Sequence, residues 1–248
     1  MKVLPVTGGG RGIGAAVARL GASQGYAVCV NYHSDVDNAA LVVADILKSG
    51  GKAIAVQGDV SKPADVKRLF DETEKQLGPI THVANNAGIT GKSSRFVDVS
   101  VETMARVIDI NLMGKMLVAQ EAVKRMSTKR GGAGGAIVNL SSAAALLGSP
   151  GEYVWYAASK GGVESFTYGL AREVAEEGIR VNAVVPGMID TEIHDKSTGD
   201  AARVERIRPS IPMKRIGTPR EIAEAVMFLL SDASSYTTGA LLRVSGGR

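Results

Sequence analysis

KVLPVTGGGRGIG, residues 2–14, decides how the rest of the chain is read. Val3, Leu4 and Val6 form a short apolar run of strand type that passes without a linker into Gly8, Gly9, Gly10, Gly12 and Gly14. An amphipathic stretch begins near Gly12. A strand that turns through glycines into a helix lets the backbone approach a ligand closely. It also aims the helix's unbonded N–H groups and positive dipole end at that ligand, which suits a phosphate. The loop is not of the type ending in Gly-Lys-Ser/Thr, because no such triplet follows. One residue resists the pattern. Pro5 stands inside the strand, where proline removes a ladder hydrogen bond, so a local bulge is expected there.

The alternation continues outward. Apolar runs at 2–7, 27–31, 52–57, 80–85, 136–141, 180–185 and 240–244 are separated by amphipathic stretches beginning near Gly12, Asp37, Pro63, Val101, Tyr156 and Pro219. The runs are continuously apolar, as strands covered on both faces are. Alternating βα units of this length predict an α/β fold of Rossmann type, a doubly wound parallel sheet of about seven strands in a single domain over 1–248. The glycine-rich segment 131–136 reads as a loop feeding the fifth strand. Residues 191–218 break the rhythm, being polar and containing Pro209 and Pro212. They follow a strand's C-terminal end, where open α/β sheets bind ligands, and are expected to form a substrate lid.

Composition removes several functions. The 248 residues are 45% hydrophobic and 22% charged, enough to bury a sizeable core, and no long apolar run marks a membrane span. The N-terminus lacks the apolar region and cleavage site of a signal peptide, and the single cysteine, Cys29, rules out an internal disulfide. Both point to the cytoplasm. A net charge of +4 invites a nucleic-acid reading, but the basic residues are interleaved with acids and aromatics are only 4% of the chain. The densest basic group, Lys124, Arg125, Lys129 and Arg130, falls at a helix end, where cations complement the dipole. His33, His82 and His194 lie on separate elements, so no metal site is expected.

The second strand ends in Asn31, Tyr32, His33 and Ser34. An NAD-specific site of this fold places an acid near here, about twenty residues past the glycines, on the ribose 2′-hydroxyl. Tyr32 stands in that region and the first acid is Asp35. No carboxylate would repel a 2′-phosphate there, and Arg11 can pair with one. NADP is therefore the expected cofactor, with NAD the alternative.

Further strings fall at strand C-terminal ends: Asp59-Val60 after the third, Asn86-Ala87-Gly88 after the fourth, Ser141-Ser142 after the fifth and Pro186-Gly187 after the sixth. Tyr156 has Lys160 four residues on, hence on the same helix face, whereas Tyr153 has no such partner. Together with Thr7-Gly8-x-x-x-Gly12-x-Gly14 and Asn111, this set resembles the short-chain dehydrogenase/reductase family over essentially the whole chain. VNYHSD and GIRVNAVVPG are similar to its 3-oxoacyl-carrier-protein reductase and glucose 1-dehydrogenase-like branch.

The resemblance implies catalytic roles for Asn111, Ser142, Tyr156 and Lys160. Tyr156 would be the general acid/base, Lys160 would favour its phenolate and hold the nicotinamide ribose, Ser142 would bond the reacting oxygen, and Asn111 would hold a relay water. Gly8, Arg11, Gly12, Ile13, Gly14, Tyr32, His33, Ser34, Asp59, Val60, Asn86, Ala87, Gly88, Pro186, Gly187, Ile189 and Thr191 would bind the cofactor together with Tyr156 and Lys160, with Asp59 near the adenine, Gly187 and Ile189 shaping the nicotinamide pocket and Thr191 contacting the carboxamide. It also implies a homotetramer, pairing the helices 101–130 and 156–177 across one interface and the strand near Leu241 across another. The small-molecule substrate stays open among a sugar, a 3-oxoacyl thioester and a cyclic or aromatic carbonyl.

Departures bear on that choice. Ser142 and Tyr156 are fourteen residues apart (156 − 142), one more than in the carrier-protein reductases, and Glu176-Glu177 stands where those enzymes carry a basic residue. Two competing readings remain at this level. One is a non-catalytic NADP(H)-sensing protein, which the intact set of four residues disfavours. The other is a methyltransferase, which leaves Ser142, Tyr156 and Lys160 unexplained.

Overall fold

The computed structural model describes residues 1–191 and 203–248. Its strands are β1 (Val3–Val6), β2 (Ala27–Tyr32), β3 (Lys52–Gln57), β4 (His82–Asn85), β5 (Gly135–Leu140), β6 (Ile179–Pro186) and β7 (Leu241–Val244). Its α-helices are α1 (Gly12–Ser23), α2 (Val36–Lys48), α3 (Pro63–Leu77), α4 (Val101–Ile108), α5 (Gly114–Met126), α6 (Ala144–Leu147), α7 (Val154–Glu173), α8 (Arg203–Ile207) and α9 (Pro219–Leu230). The strands form one parallel sheet in the order β3-β2-β1-β4-β5-β6-β7. The chain winds outward from β1 to β3, then returns to β4 on the other side of β1. Such a reversal leaves a crevice beyond the C-terminal ends of β1 and β4, the usual ligand position in doubly wound sheets.

Two cores explain the apolar runs. On one face Leu4, Val28, Val30 and Val138 meet α1, α2 and α9 through Val17, Val42 and Met227. On the other Val83, Ile137 and Val181 meet α3, α5 and α7 through Phe70, Met126 and Ala171. Each large side chain so buried contributes about 1.5–3 kcal/mol of transfer free energy.

Pro5 is accommodated by a slip in the ladder. Val3 and Thr7 direct their N–H groups towards β4, bonding Thr81 Oγ1 and the Ala84 carbonyl, so the N–H that Pro5 lacks also falls on that side. Thr81 N–H bonds the Val3 carbonyl, which in a regular ladder would put Val6 opposite Val83. Val6 pairs with Ala84 instead, so β4 carries one extra residue opposite the proline.

Elsewhere the structure corrects details. The helix expected over 101–130 is two helices, α4 and α5, joined by a π-turn at Asp109–Met113. The short helices α6 and α8 carry no sequence signal of their own. Of the expected lid, 192–202 lies outside the described residues; the remainder holds α8, a 3₁₀ turn at Arg208–Ser210 and a bridge from Gly217 to Ile189. Among the described residues no helix is long and apolar enough to cross a membrane.

Candidate active site

The glycine turn is shaped by the absence of side chains. Gly8 adopts φ +62°, and a Cβ on Gly14 would lie 2.2 Å from the Gly8 carbonyl oxygen, which only glycine avoids. Neighbouring loops fix the turn. Thr7 Oγ1 accepts from the N–H groups of Asn86 (2.9 Å) and Ala87 (3.0 Å), while Asn86 Nδ2 donates to the Thr7 carbonyl at 2.9 Å. Asn31 Oδ1 accepts from Gly8 N–H, and Asn31 Nδ2 donates to the Gly58 carbonyl. No side-chain cap and no acid occupies the first turn of α1, so its N–H groups face the crevice. This is the donor set that a pyrophosphate needs.

The crevice is a cavity of about 1010 Å³. Every residue that the sequence assigns to the cofactor borders it: Gly8, Arg11, Gly12, Ile13 and Gly14 after β1, Tyr32, His33 and Ser34 after β2, Asp59 and Val60 after β3, Asn86, Ala87 and Gly88 after β4, Pro186, Gly187, Ile189 and Thr191 after β6, and Tyr156 and Lys160 on α7. Ser142 borders it too, whereas Asn111 is wholly buried behind the wall.

At the β2 and β3 end, the Asp35 carboxylate caps α2 by accepting from Asn38 N–H (3.2 Å). Asp59 accepts from Ser61 Oγ (2.7 Å) and from Arg106 Nη2 (3.0 Å), with His33 Nε2 at 3.7 Å. Burial alone would raise its carboxyl; the bonds from Ser61 and Arg106 outweigh burial and bring it down to about 2.

At the other end the Ser142 hydroxyl stands beside the Tyr156 phenol, close enough to act on it. Lys160 Nζ lies 5.5 Å from the Tyr156 ring centre and donates to the Leu140 carbonyl at 2.9 Å. Burial raises the Tyr156 phenol above its ordinary value, against the Ser142 hydroxyl and the charge of Arg203, which lower it. Burial also pushes the Lys160 amine down to about 8. Asn111 sits in the π-turn. Its Oδ1 accepts from Ile89 N–H and its Nδ2 donates to the Ile89 carbonyl, both at 2.8 Å, and to Ser159 Oγ at 3.1 Å. Gly88 leaves room between Asn111 and Lys160, because a Cβ there would be 3.2 Å from Asn111 Oδ1 and 3.5 Å from Lys160 Nζ. Trp155 donates to the Thr90 carbonyl (2.8 Å), and the Tyr153 ring meets that of Tyr156 edge-on at 5.7 Å.

Comparison with known proteins fits this geometry. The sequence family described as "Enoyl-(Acyl carrier protein) reductase" matches residues 8–248. The full chain is 47% identical to the full length of an uncharacterized oxidoreductase, YgfF, of Escherichia coli K12. The chain belongs to the short-chain dehydrogenase/reductase family. Within this family of oxidoreductases it is 38% identical to glucose 1-dehydrogenase 2 of Bacillus subtilis, over 99% of this chain and 94% of that one. It is equally identical to a 3-oxoacyl-[acyl-carrier-protein] reductase of Staphylococcus epidermidis, over 98% and 96%. A solved short-chain dehydrogenase of Burkholderia cenocepacia, in complex with NADP, superposes with a TM-score of 0.91 at 31% identity, over 99% of this chain and 97% of that one.

Several site residues of this short-chain dehydrogenase/reductase escape sequence reading. Arg106 is five residues from Asn111 (111 − 106) with no motif around it, yet it holds Asp59. Arg203 pairs with Glu152 across 51 positions, a distance at which charge spacing carries no signal. Lys115 lies in what reads as an ordinary helix, but is 1% exposed and donates to the Asn85 carbonyl.

Proposed function

We propose that this protein is an NADP(H)-dependent oxidoreductase acting on a carbonyl or secondary alcohol, with Tyr156 as general acid/base. The observation that carries this reading is Tyr156 itself: with Lys160 5.5 Å from its ring, it borders, together with Ser142, the cavity into which the glycine turn opens. The uncapped first turn of α1 and residues 8–14 fit a pyrophosphate. Tyr32, His33, Ser34 and Arg11 would take the ribose 2′-phosphate, an assignment supported by the engagement of Asp35 as a helix cap. When bound, the nicotinamide supplies or takes up the hydride.

The chain's own work concerns the proton. In reduction Tyr156 gives its proton to the carbonyl oxygen, and in oxidation it takes one from the alcohol. Ser142 donates to the same oxygen and stabilises its developing charge. Lys160, a cation below about pH 8, favours the phenolate left behind. Asn111, fixed in the π-turn, holds the relay end of the site against Ile89 and Ser159. The whole forms one catalytic domain, in a homotetramer whose interfaces would use the exposed apolar side chains Val101, Met113 and Tyr168 on one side and Phe228 on the other. Light scattering checks this, and a monomeric mass would overturn it.

Trp155, the single tryptophan, serves as the probe. Energy transfer from Trp155 to the dihydronicotinamide should saturate at lower NADPH than NADH, and Tyr32→Asp should shift that preference towards NADH. Tyr156→Phe should bind NADPH normally and lose at least about 100-fold in carbonyl reduction. Near-normal turnover in that variant would sink the mechanism; tighter NADH binding would reverse only the cofactor assignment.

A further inference from the structure

The end of the cavity beside Tyr156 contains a contact sequence that the catalytic roles above leave unused. Arg203, on α8, has 8% of its side chain exposed. It grips both carboxylate oxygens of Glu152, Nε to Oε1 at 3.0 Å and Nη2 to Oε2 at 2.7 Å, while Nη1 lies 3.7 Å from Met188 Sδ. The Glu152 backbone is held in turn by Ser94, whose N–H bonds its carbonyl at 2.9 Å. The guanidinium carbon of Arg203 is 5.5 Å from the centre of the Tyr153 ring. That ring meets the Tyr156 ring at 5.7 Å with planes 82° apart. Glu152, Arg203, Tyr153 and Tyr156 are thus in series, and all four border the cavity.

A buried guanidinium is costly unless paired, and the bidentate bond to Glu152 meets that cost while fixing the direction of the charge. An arginine over an aromatic face is itself attractive, which locks the Tyr153 ring, and an edge-on aromatic pair transmits that orientation to Tyr156. We propose that Arg203 is a positioning residue for Tyr156, seated by Glu152 against Tyr153 so that it holds the tyrosine pair in place beside the cavity. The inference rests on the reading of Tyr156 as the acid/base, but it can be measured without turnover.

Among the described residues, the other groups near Tyr156 are these. Lys160 comes from its own helix, along with Glu164, which is held by Ser141 at 2.9 Å. The loop after β5 offers the Ser142 hydroxyl, the π-turn only the Asn111 amide, and α5 offers Lys115, which feels the charge of Lys160. The segment before α7 brings the opposing charge of Glu152, on which Arg206 also acts. The charge of Arg203 lowers the phenol as well.

The test is a titration of tyrosinate absorbance in the ligand-free full chain. Wild type, Arg203→Met, Arg203→Lys and Glu152→Gln are each measured against the same protein carrying Tyr156→Phe, so that the difference reads the Tyr156 phenol. Arg203→Met should move the phenol up by about one pH unit, and Arg203→Lys should restore part of the shift. Glu152→Gln keeps an acceptor for the guanidinium but removes the opposing charge, so it should move the phenol down. A phenol unmoved in Arg203→Met, or moved the same way in Arg203→Met and Glu152→Gln, overturns the proposal. Should Arg203→Met fail to fold, the contrast between Arg203→Lys and Glu152→Gln decides by the same rule. Reduction of cyclohexanone and ethyl 3-oxobutanoate with NADPH is followed in parallel. Expected shifts without turnover of any carbonyl would strike the acid/base reading while leaving the coupling in place.

Discussion

Two buried lysines show what burial does to a charge near a reacting group. Lys160 is held to the Leu140 carbonyl and pushed down to about 8 by burial. Tyr156 must keep its proton to reduce a carbonyl, and the Lys160 cation is what favours losing that proton at the right moment. The kcat/KM for reduction should therefore be level near neutrality and fall above about pH 8 as Lys160 discharges. Alcohol oxidation, which needs the phenolate that this cation favours, should gain nothing from the discharge over the same range. A profile of both directions with NADPH and NADP checks this; a reduction rate flat well into alkaline pH would count against Lys160 as the charge that matters. Lys115 is the second case. It is 1% exposed, bonds the Asn85 carbonyl, and is held well below its ordinary value by burial and then by the charge of Lys160. The unfolded chain binds a proton on this amine that the folded chain resists. The native state is therefore penalised at neutral pH, and the penalty fades as pH rises towards the ordinary lysine value of 10.5. Lys115→Met should stabilise the protein at pH 7 by about 1 kcal/mol or more, a gain that shrinks in alkaline solution. Urea midpoints at both pH values read it, and a destabilised variant at pH 7 would show that the Asn85 bond outweighs the buried amine.

At the scale of elements, the π-turn between α4 and α5 does most to build the site. It turns Asn111 inward, where its side chain satisfies both the N–H and the carbonyl of Ile89 and reaches Ser159 on α7. Asn111→Leu leaves two part-buried backbone groups without their side-chain partner, so it should cost about 1–3 kcal/mol and speed amide exchange at Ile89 more than in the distant α2. Uniform protection in the variant would mean that the turn holds without its asparagine. This element also marks the limit of what the sequence shows. The central strands are legible because parallel strands buried on both faces must be continuously apolar, and β2 and β6 follow the runs closely; the edge strands β3 and β7, partly exposed, are legible from the βα alternation instead. The glycine turn and the loops ending each strand are legible because their spacing is set by one ligand. The π-turn is not, since Asp109–Met113 differs from ordinary helix by one hydrogen-bond step that leaves no compositional trace. Arg203, Arg106 and Lys115 are hidden for a related reason. Their significance comes from partners brought together by the sheet, and each taken alone reads as a solvated charge.

At the scale of the whole molecule the sheet separates two kinds of polar chemistry. The C-terminal ends of the strands carry the cavity, while Lys2, Tyr26, His82 and Arg180 lie at or next to the N-terminal ends of β1, β2, β4 and β6. His82 is 5% exposed, packs edge-on against Tyr26 at 5.1 Å, and shares a hydrogen bond with Thr81 Oγ1 at 2.8 Å. Burial, with the charges of Lys2 and Arg180, pushes its imidazole down from 6.5 to about 4, against the opposing pull of Asp232. Between those two values the unfolded chain binds a proton that the native chain refuses. The stability available above pH 6.5 is therefore lost as pH falls towards 4, by about 3 kcal/mol at most from this one group. His82→Asn keeps a polar atom near Thr81 and cannot take up the charge. Whatever the substitution costs at neutral pH, it should flatten the decline in urea stability between pH 7 and about pH 4.5. A variant whose stability falls as steeply as the wild type's would place the acid sensitivity elsewhere, with the paired carboxylates such as Asp59 the next to test, since protonating them breaks bonds to Ser61 and Arg106.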